Sequence, residues 1–355
     1  MKTDSLFYNA VNLLKQMISI PSFSKEEGNL ADFLELYFKK KNHQPERKGN
    51  NIWLTSPKWD DEKPVILFNS HIDTVKPVSG WTKNPFTPEE TDGKLYGLGS
   101  NDAGASVVSL LKAFLILTAQ PQPNNFIYLV SCEEEISGKD GIESVLPELP
   151  PITCAIVGEP TSMQPAIAEK GLMVLDGVVH GKSGHAARNE GENAIYKALP
   201  VISRFQNLEF PLVSDLLGPV KTTVTMIQAG TQHNVIPDSC KFTVDIRTNE
   251  LYSNEELFDE IQSLCNCEIQ ARSFRLNSSH ISPEHPLVKR AETFGLKPFG
   301  SPTLSDQSLL KCPSLKIGPG KSSRSHTADE FILLSEIQDA IHLYVNLLNN
   351  LNLRD

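Results

Sequence analysis

PVILFNSHID (residues 64–73), NFIYLVSCEEE (125–135) and CAIVGEP (154–160) share one pattern: an unbroken apolar run that ends abruptly in polar, acidic or imidazole residues. A strand with one face in water alternates polar and apolar residues, whereas an unbroken apolar strand is covered on both faces. Three such strands predict a mostly parallel α/β sheet, because parallel strands need crossovers that lay helices over the sheet. Between the first two lies 102–119, rich in Ala, Val and Leu, which reads as a helix with Asp102 near its N-terminus. In open α/β sheets ligands bind beyond the carboxyl ends of the strands. The residues that close these runs therefore converge on one crevice: His71 and Asp73, Glu133 to Glu135, and Glu159. Asp102 joins them from the glycine-rich turn GLGSNDAG (97–104), and His326 from SRSHTADE (323–330).

Carboxylates this dense repel one another unless positive charge sits between them. A pair of divalent cations meets that need. Imidazole with carboxylate donors suits zinc, with cobalt or manganese as alternatives, in a catalytic rather than a structural site. Each element alone has a plainer reading. A lone His-x-Asp is usually a histidine hydrogen-bonded to a neighbour, a run of glutamates a solvated turn, and an aspartate at a helix start a cap. Their recurrence at successive strand ends is what points to a metal centre.

The rest of the chain fits around this core. A length of 355 residues suggests two domains. The middle reads as strand 171–181, helix 192–206, strands 222–229 and 241–248, helix 254–264 and strand 268–276. That order, β-α-β-β-α-β, is the ferredoxin-like unit. It predicts an inserted domain over 167–276, with 1–166 and 277–355 forming one discontinuous catalytic domain. The first twenty residues read as an amphipathic helix behind an N-cap at Asp4, not as a signal peptide. No stretch is seen to approach the ~20 apolar residues of a membrane span. A closing amphipathic helix is expected over 335–351. The 33 basic against 43 acidic residues give a net charge of −10, which argues against nucleic acid or an anionic membrane as partner. The six cysteines are scattered, only Cys265 and Cys267 lying close, as expected of reduced thiols in a cytoplasmic protein.

NSHIDTV (69–75), YGLGSNDAGAS (96–106), SCEEEISGKDGI (131–142), VGEPTS (157–162), GKSGHAARNEGENAI (181–195), HNVIPDSCKFTVDIR (233–247) and GPGKSSRSHTADEF (318–331) together resemble metallopeptidase family M20, in the family's order. The resemblance implies that His71 and Glu159 bind one metal, Glu135 and His326 a second, and that Asp102 bridges them. Asp73 would orient His71 through its other ring nitrogen. Glu134 would be the general base that takes a proton from the attacking water. The family's usual triplet is Asp-Glu-Glu. Here it is Glu133-Glu134-Glu135, so a register shift of one residue would exchange base and ligand.

The resemblance further implies that 167–276 is a lid and homodimerisation domain, closing on hinges at 165–170 and 273–279. His185 would stabilise the oxyanion in a partner subunit's site. Asn234 and Arg247 would bind substrate, the arginine gripping a carboxylate with its planar fork. Gly318 and Gly320 would let backbone N–H groups approach the substrate. Asp306 in LSDQS (304–308) matches an aspartate often seen in the family, with no role assigned. The implied reaction is hydrolysis of a small N-acyl-amino acid. Acetylornithine deacetylation in arginine biosynthesis is the first expectation, and desuccinylase or dipeptidase/carboxypeptidase action the alternative. A catalytically silent binding homologue is the remote one.

Overall fold

The computed structural model describes residues 3–188 and 190–353. It divides into two compact units, Met1–Ile167 with His280–Phe299 and Ser305–Asp355, and Ala168–Ser279 with Gly300–Leu304. The stretch 300–304, placed in the catalytic domain by the sequence, groups with the second unit.

At the heart of the first unit four parallel strands lie side by side, in the order Asn125–Ser131, Val65–His71, Cys154–Val157, Ser314–Lys316. Every residue of all four is buried, which is why their sequences carry no alternation. The margins are antiparallel. Asn51–Thr55 pairs with Asn125–Ser131, and Glu46–Lys48 pairs beyond it. On the far side Lys316 pairs with Ala166.

Helices Thr3–Ile18, Ala105–Thr118 and Leu334–Leu348 pack together beside this sheet. Phe68, Phe114, Phe126 and Tyr128 are fully buried where sheet and helices meet. Each such side chain contributes roughly 1.5–3 kcal/mol. The phenol of Tyr128 donates to Val107 O at 2.9 Å, and that of Tyr344 to Ile317 O at 2.6 Å, so neither polar tip is buried without a partner.

Three sequence expectations change here. Ser100–Thr118 is long and apolar enough to cross a membrane by length and composition, although Ser106, Ser109 and Lys112 interrupt its apolar run. Yet 78% of its most apolar window is buried inside the protein, which makes it a core helix. That helix also starts later than 102. Regular helix begins at Ala105, and Asp102 sits in a preceding irregular turn with extended backbone (φ −121°, ψ 100°). Asp4 lies within the first turn of Thr3–Ile18 rather than ahead of it.

The second unit is a four-stranded antiparallel sheet in the order Lys221–Ala229, Ser239–Thr248, Gly171–His180, Glu268–Ala271, with helices Ala194–Gln206 and Asn254–Leu264. This is the β-α-β-β-α-β order. One face is buried in strict alternation along Gly171–His180, and Met173, Leu175, Phe242 and Val244 form a core with Ala198, Phe205, Leu257 and Ile261. Gly177 is needed in that strand, because a Cβ there would lie 2.2 Å from the Phe242 ring. Ser253 opens the second helix with a capping box to Glu256. Lys221–Ala229 is an edge strand and stands largely exposed, with Met226 and Ile227 each about half accessible.

Candidate metal centre

Sheet register decides what meets at the crevice. His71 pairs with Ser131, and Asn69 pairs with Val157, so three buried strands run out side by side. His71 closes its strand at 1% exposure. Its Nε2 lies 3.3 Å from Asp102 Oδ1, 3.6 Å from Glu159 Oε1 and 3.9 Å from Glu134 Oε2. The other oxygen of Asp102 faces His326 Nε2 at 3.7 Å, and the same nitrogen lies 2.9 Å from Glu135 Oε2. Asp102 thus stands between the two histidines, His71 on its Oδ1 side with Glu159 next to that ring, and His326 on its Oδ2 side with Glu135 next to that ring.

The turn after Ser131 settles which glutamates face inward. Glu133 adopts the left-handed region (φ 56°), which bends the chain sharply out of the strand. Its carboxylate folds over Gly138, where a Cβ would lie 1.8 Å from Glu133 Oε2, and away from the histidines. Glu134 and Glu135 are the pair at the crevice. Asp73 holds them there, its carboxylate accepting from the backbone N–H of Glu134 at 3.0 Å and of Glu135 at 3.2 Å, and from Ser24 Oγ at 2.7 Å. His71 Nδ1 lies closer to the main-chain oxygen of Asp73, at 2.9 Å, than to its carboxylate, at 3.5 Å. Both contacts place a proton on Nδ1 and aim Nε2 at Asp102 and Glu159.

Glu330 carries no signal in sequence beyond its place in an acidic pair. It is 2% exposed and accepts three backbone N–H bonds, from Gly99 at 3.1 Å, Asn101 at 2.8 Å and Asp102 at 3.0 Å. It therefore sets the irregular turn that aims Asp102. Asn101 ties that turn to the His326 loop, accepting from Lys321 N at 3.0 Å and donating to Lys321 O at 3.1 Å. Arg324, on the same loop, clamps Glu336 with two bonds of 2.6 and 3.2 Å. Asp306 is buried behind the centre, where it accepts from Ser131 Oγ at 2.6 Å.

The two glycines serve these supports. Gly320 (φ +86°) leaves room for Asn101 Oδ1, which a Cβ would meet at 2.2 Å. Gly318 packs on Glu159, whose backbone oxygen a Cβ would meet at 2.4 Å, and its N–H is already given to Thr161 Oγ1 at 3.1 Å. The expected substrate-facing role of the Gly318 N–H does not match this geometry.

The electrostatics follow from the crowding. Burial pushes Glu159 up to about 8, against the pull of His71. Burial also pushes Glu134 well above the usual carboxylate range, helped by Glu159 and Asp306. Glu330 rises to about 8 and Asp306 to about 6 by burial. Burial opposes charge on His71, but Glu134, Asp102, Asp73 and Glu159 outweigh it and raise the imidazole well above its ordinary value. The hydrogen bond to Glu135 lifts His326 to about 9. Crowded, buried acids here favour added positive charge. Glu159 Oε1 is buried with no hydrogen-bond partner among the described residues. Ligand atoms of His71, Glu134 and Glu159, and of His71, Asp102 and Glu135, each lie within 4.8 Å of one another. An orphaned carboxylate oxygen among imidazole and oxygen donors fits divalent cations.

The other expected residues belong to the second unit. Gly184–His185 pairs with Val235–Ile236, and Ala186 N donates to Asn234 O at 3.0 Å, so His185 and Asn234 share one exposed ribbon. His185 Nδ1 accepts from Ala187 N at 3.1 Å, which leaves Nε2 as the protonated nitrogen. The fork of Arg247 is not open. It holds Asp245 with two bonds of 2.9 and 3.1 Å, leaving its remaining N–H groups for a ligand.

A family model, peptidase family M20/M25/M40, matches residues 67–350. The chain belongs to this family. M20 membership makes it a metal-dependent amide hydrolase. A succinyl-diaminopimelate desuccinylase from Wolbachia pipientis wMel is 26% identical over 369 residues, covering 96% of this chain and 92% of that protein. The aminopeptidase PepT of Bacillus cereus shares the fold with a TM-score of 0.77 at 17% identity, over 97% of this chain and 98% of that one. A dinuclear metal-binding M20 peptidase from Bacillus subtilis does so with a TM-score of 0.75 at 17% identity, over 97% and 98%.

Metal ligands bind deprotonated, and burial of Glu159 and the hydrogen bond of His326 to Glu135 both favour protonation there, so metal uptake at these two proposed ligands should expel protons. Zinc titrated calorimetrically at pH 7 in buffers of different ionisation enthalpy should show proton release, with affinity falling as the pH drops below about 8. Glu330→Gln, which cannot accept all three backbone bonds, should weaken uptake about 10–100-fold. Uptake without proton release would contradict these assignments.

Proposed function

We propose that this chain hydrolyses the amide bond of an N-acyl-amino acid, with N-succinyl substrates ahead of N-acetyl ones. The observation that carries the reaction is Asp102 standing between two ligand groups, with the Glu134 carboxylate beside His71 and in no hydrogen bond among the described residues. His71, Asp102 and Glu159 would hold one divalent ion, and Glu135, His326 and Asp102 a second. Such a pair polarises the amide carbonyl and brings the pKa of water toward about 7.

Glu134 supplies the proton transfer. Burial raises its affinity for a proton, and once bound cations keep it ionised it can take a proton from the attacking water and release it to the departing amine. Asp73 positions it through the backbone bond at Glu134 N. The succinyl preference rests on the desuccinylase relative, whose match spans nearly the whole of both chains. It displaces the acetylornithine expectation, which rested on resemblance alone.

The second unit supports a homodimer. Arg247 and Ser239 are eight residues apart on one strand, roughly 26 Å at ~3.3 Å per residue, and His185 lies beyond the Ser239 end. One copy of the unit cannot grip a single small substrate with both. His185 would then act in a partner subunit's site, as oxyanion donor. The edge strand Lys221–Ala229 fits the dimer contact. It offers unpaired backbone groups with Met226 and Ile227, beside Tyr196 and Leu199, which are 72% and 57% exposed.

Assays of kcat/KM on N-succinyl-diaminopimelate, N-succinylornithine, N-acetylornithine and simple dipeptides should rank the succinyl compounds first. Glu134→Gln should retain two metals and lose turnover by orders of magnitude. Loss of a metal in that variant would make Glu134 a ligand, and a dipeptide preference would replace the deacylase reading. Met226→Glu combined with Ile227→Glu should give a monomer by light scattering with kcat down about 10²–10³-fold, as for a lost oxyanion donor. A monomer at full kcat would exclude His185 acting across the dimer.

A further inference from the structure

Helix Ala105–Thr118 carries one charged residue, Lys112, and it is 3% exposed. No hydrogen bond or ion pair engages its ammonium among the described residues. An unpaired buried charge is costly, and proteins usually neutralise it or give it a partner. Here Lys112 faces a cavity of about 550 Å³ between this helix and helices Thr3–Ile18 and Gly28–Lys40. Leu111, Leu115 and Ile116 lie on the same helical face and, with Leu6 and Phe38, make an apolar wall. Asn9, Tyr37, Lys41, His43, Ala119 and Gln120 complete the lining.

Three features mark this as a ligand site. Its volume falls within the ~300–1,000 Å³ of small-molecule pockets. Its wall is apolar, with a few polar groups that converge. And although the chain has more acidic than basic residues, the described lining holds two lysines and a histidine and no Asp or Glu. None of the lining residues belongs to the metal centre. Lys112 is seven residues along the helix from Ala105, about 10 Å from the end that carries the Asp102 turn.

We propose that this cavity binds an anion with an apolar body, a medium-chain monocarboxylate being the simplest, with Lys112 as its buried counter-ion and Lys41 and His43 at the rim. The carboxylate would replace the missing partner of Lys112, and the chain would displace water from the Leu111–Leu115–Ile116 wall. Burial, with the neighbouring charge of Lys41, lowers Lys112 to about 8, so the lysine is still protonated at pH 7 and can pair.

The test is calorimetric titration of the metal-loaded protein with octanoate at pH 7. Saturable one-to-one binding is expected. Lys112→Met should weaken it about tenfold or more, the worth of a charge-assisted pair. Leu115→Trp, which fills the cavity and keeps the lysine, should abolish it. Both variants should keep wild-type metal content and turnover. Absence of binding at millimolar octanoate would overturn the proposal. So would equal binding by Lys112→Met and Leu115→Trp, or binding lost instead with His71→Ala, which would put octanoate at the metals.

Discussion

Asp102, Glu134, Glu135 and Glu159 meet at the ends of strands whose every residue is buried, where water screens them poorly. Two like charges about 4 Å apart cost roughly 4 kcal/mol at an effective dielectric near 20. No fold assembles four such groups without something positive among them. Raised proton affinities at Glu134, Glu159, His71 and His326 are one response. Divalent cations held by the proposed ligands around Asp102 would be the other. The parts outside the ligand set are arranged to hold this balance: Asp73 fixes the Glu134–Glu135 turn, Glu330 the Asp102 turn, and Asn101 the His326 loop.

Much of this was legible in the sequence, for a specific reason. Buried parallel strands need unbroken apolar runs, so 64–73, 125–135 and 154–160 announce both the sheet and the side from which its ligands come. The second unit was legible because its strands keep one wet face and alternate, as along Gly171–His180. What could not be read was set by distant partners. Glu330 lies more than two hundred residues from the turn it shapes, and its three bonds hold Asp102 in an irregular turn ahead of the helix. Arg247 has the right chemistry for a carboxylate, but the sequence does not show that Asp245, two residues back on the same face, already occupies its fork. The Glu133-Glu134-Glu135 register was ambiguous until the left-handed backbone at Glu133 and the close approach of Gly138 turned the first carboxylate away.

The helix Ala105–Thr118 links two regions of the first unit. Its first turn follows Asp102, and further along it presents Lys112 to an apolar cavity. A helix this apolar gains nothing for its packing from a lysine. Lys112 is therefore informative in the way the carboxylate cluster is: a charge held where burial disfavours it, next to space that a complementary group would fill.

The account depends on Asp102 serving two cations at once. Anomalous diffraction across the zinc absorption edge, from crystals grown with zinc, reads this directly. It should show two peaks per chain on either side of the Asp102 carboxylate, one beside His71 and Glu159 and the other beside Glu135 and His326. A single peak, or Asp102 bonded only to protein with no metal beside it, would contradict the account.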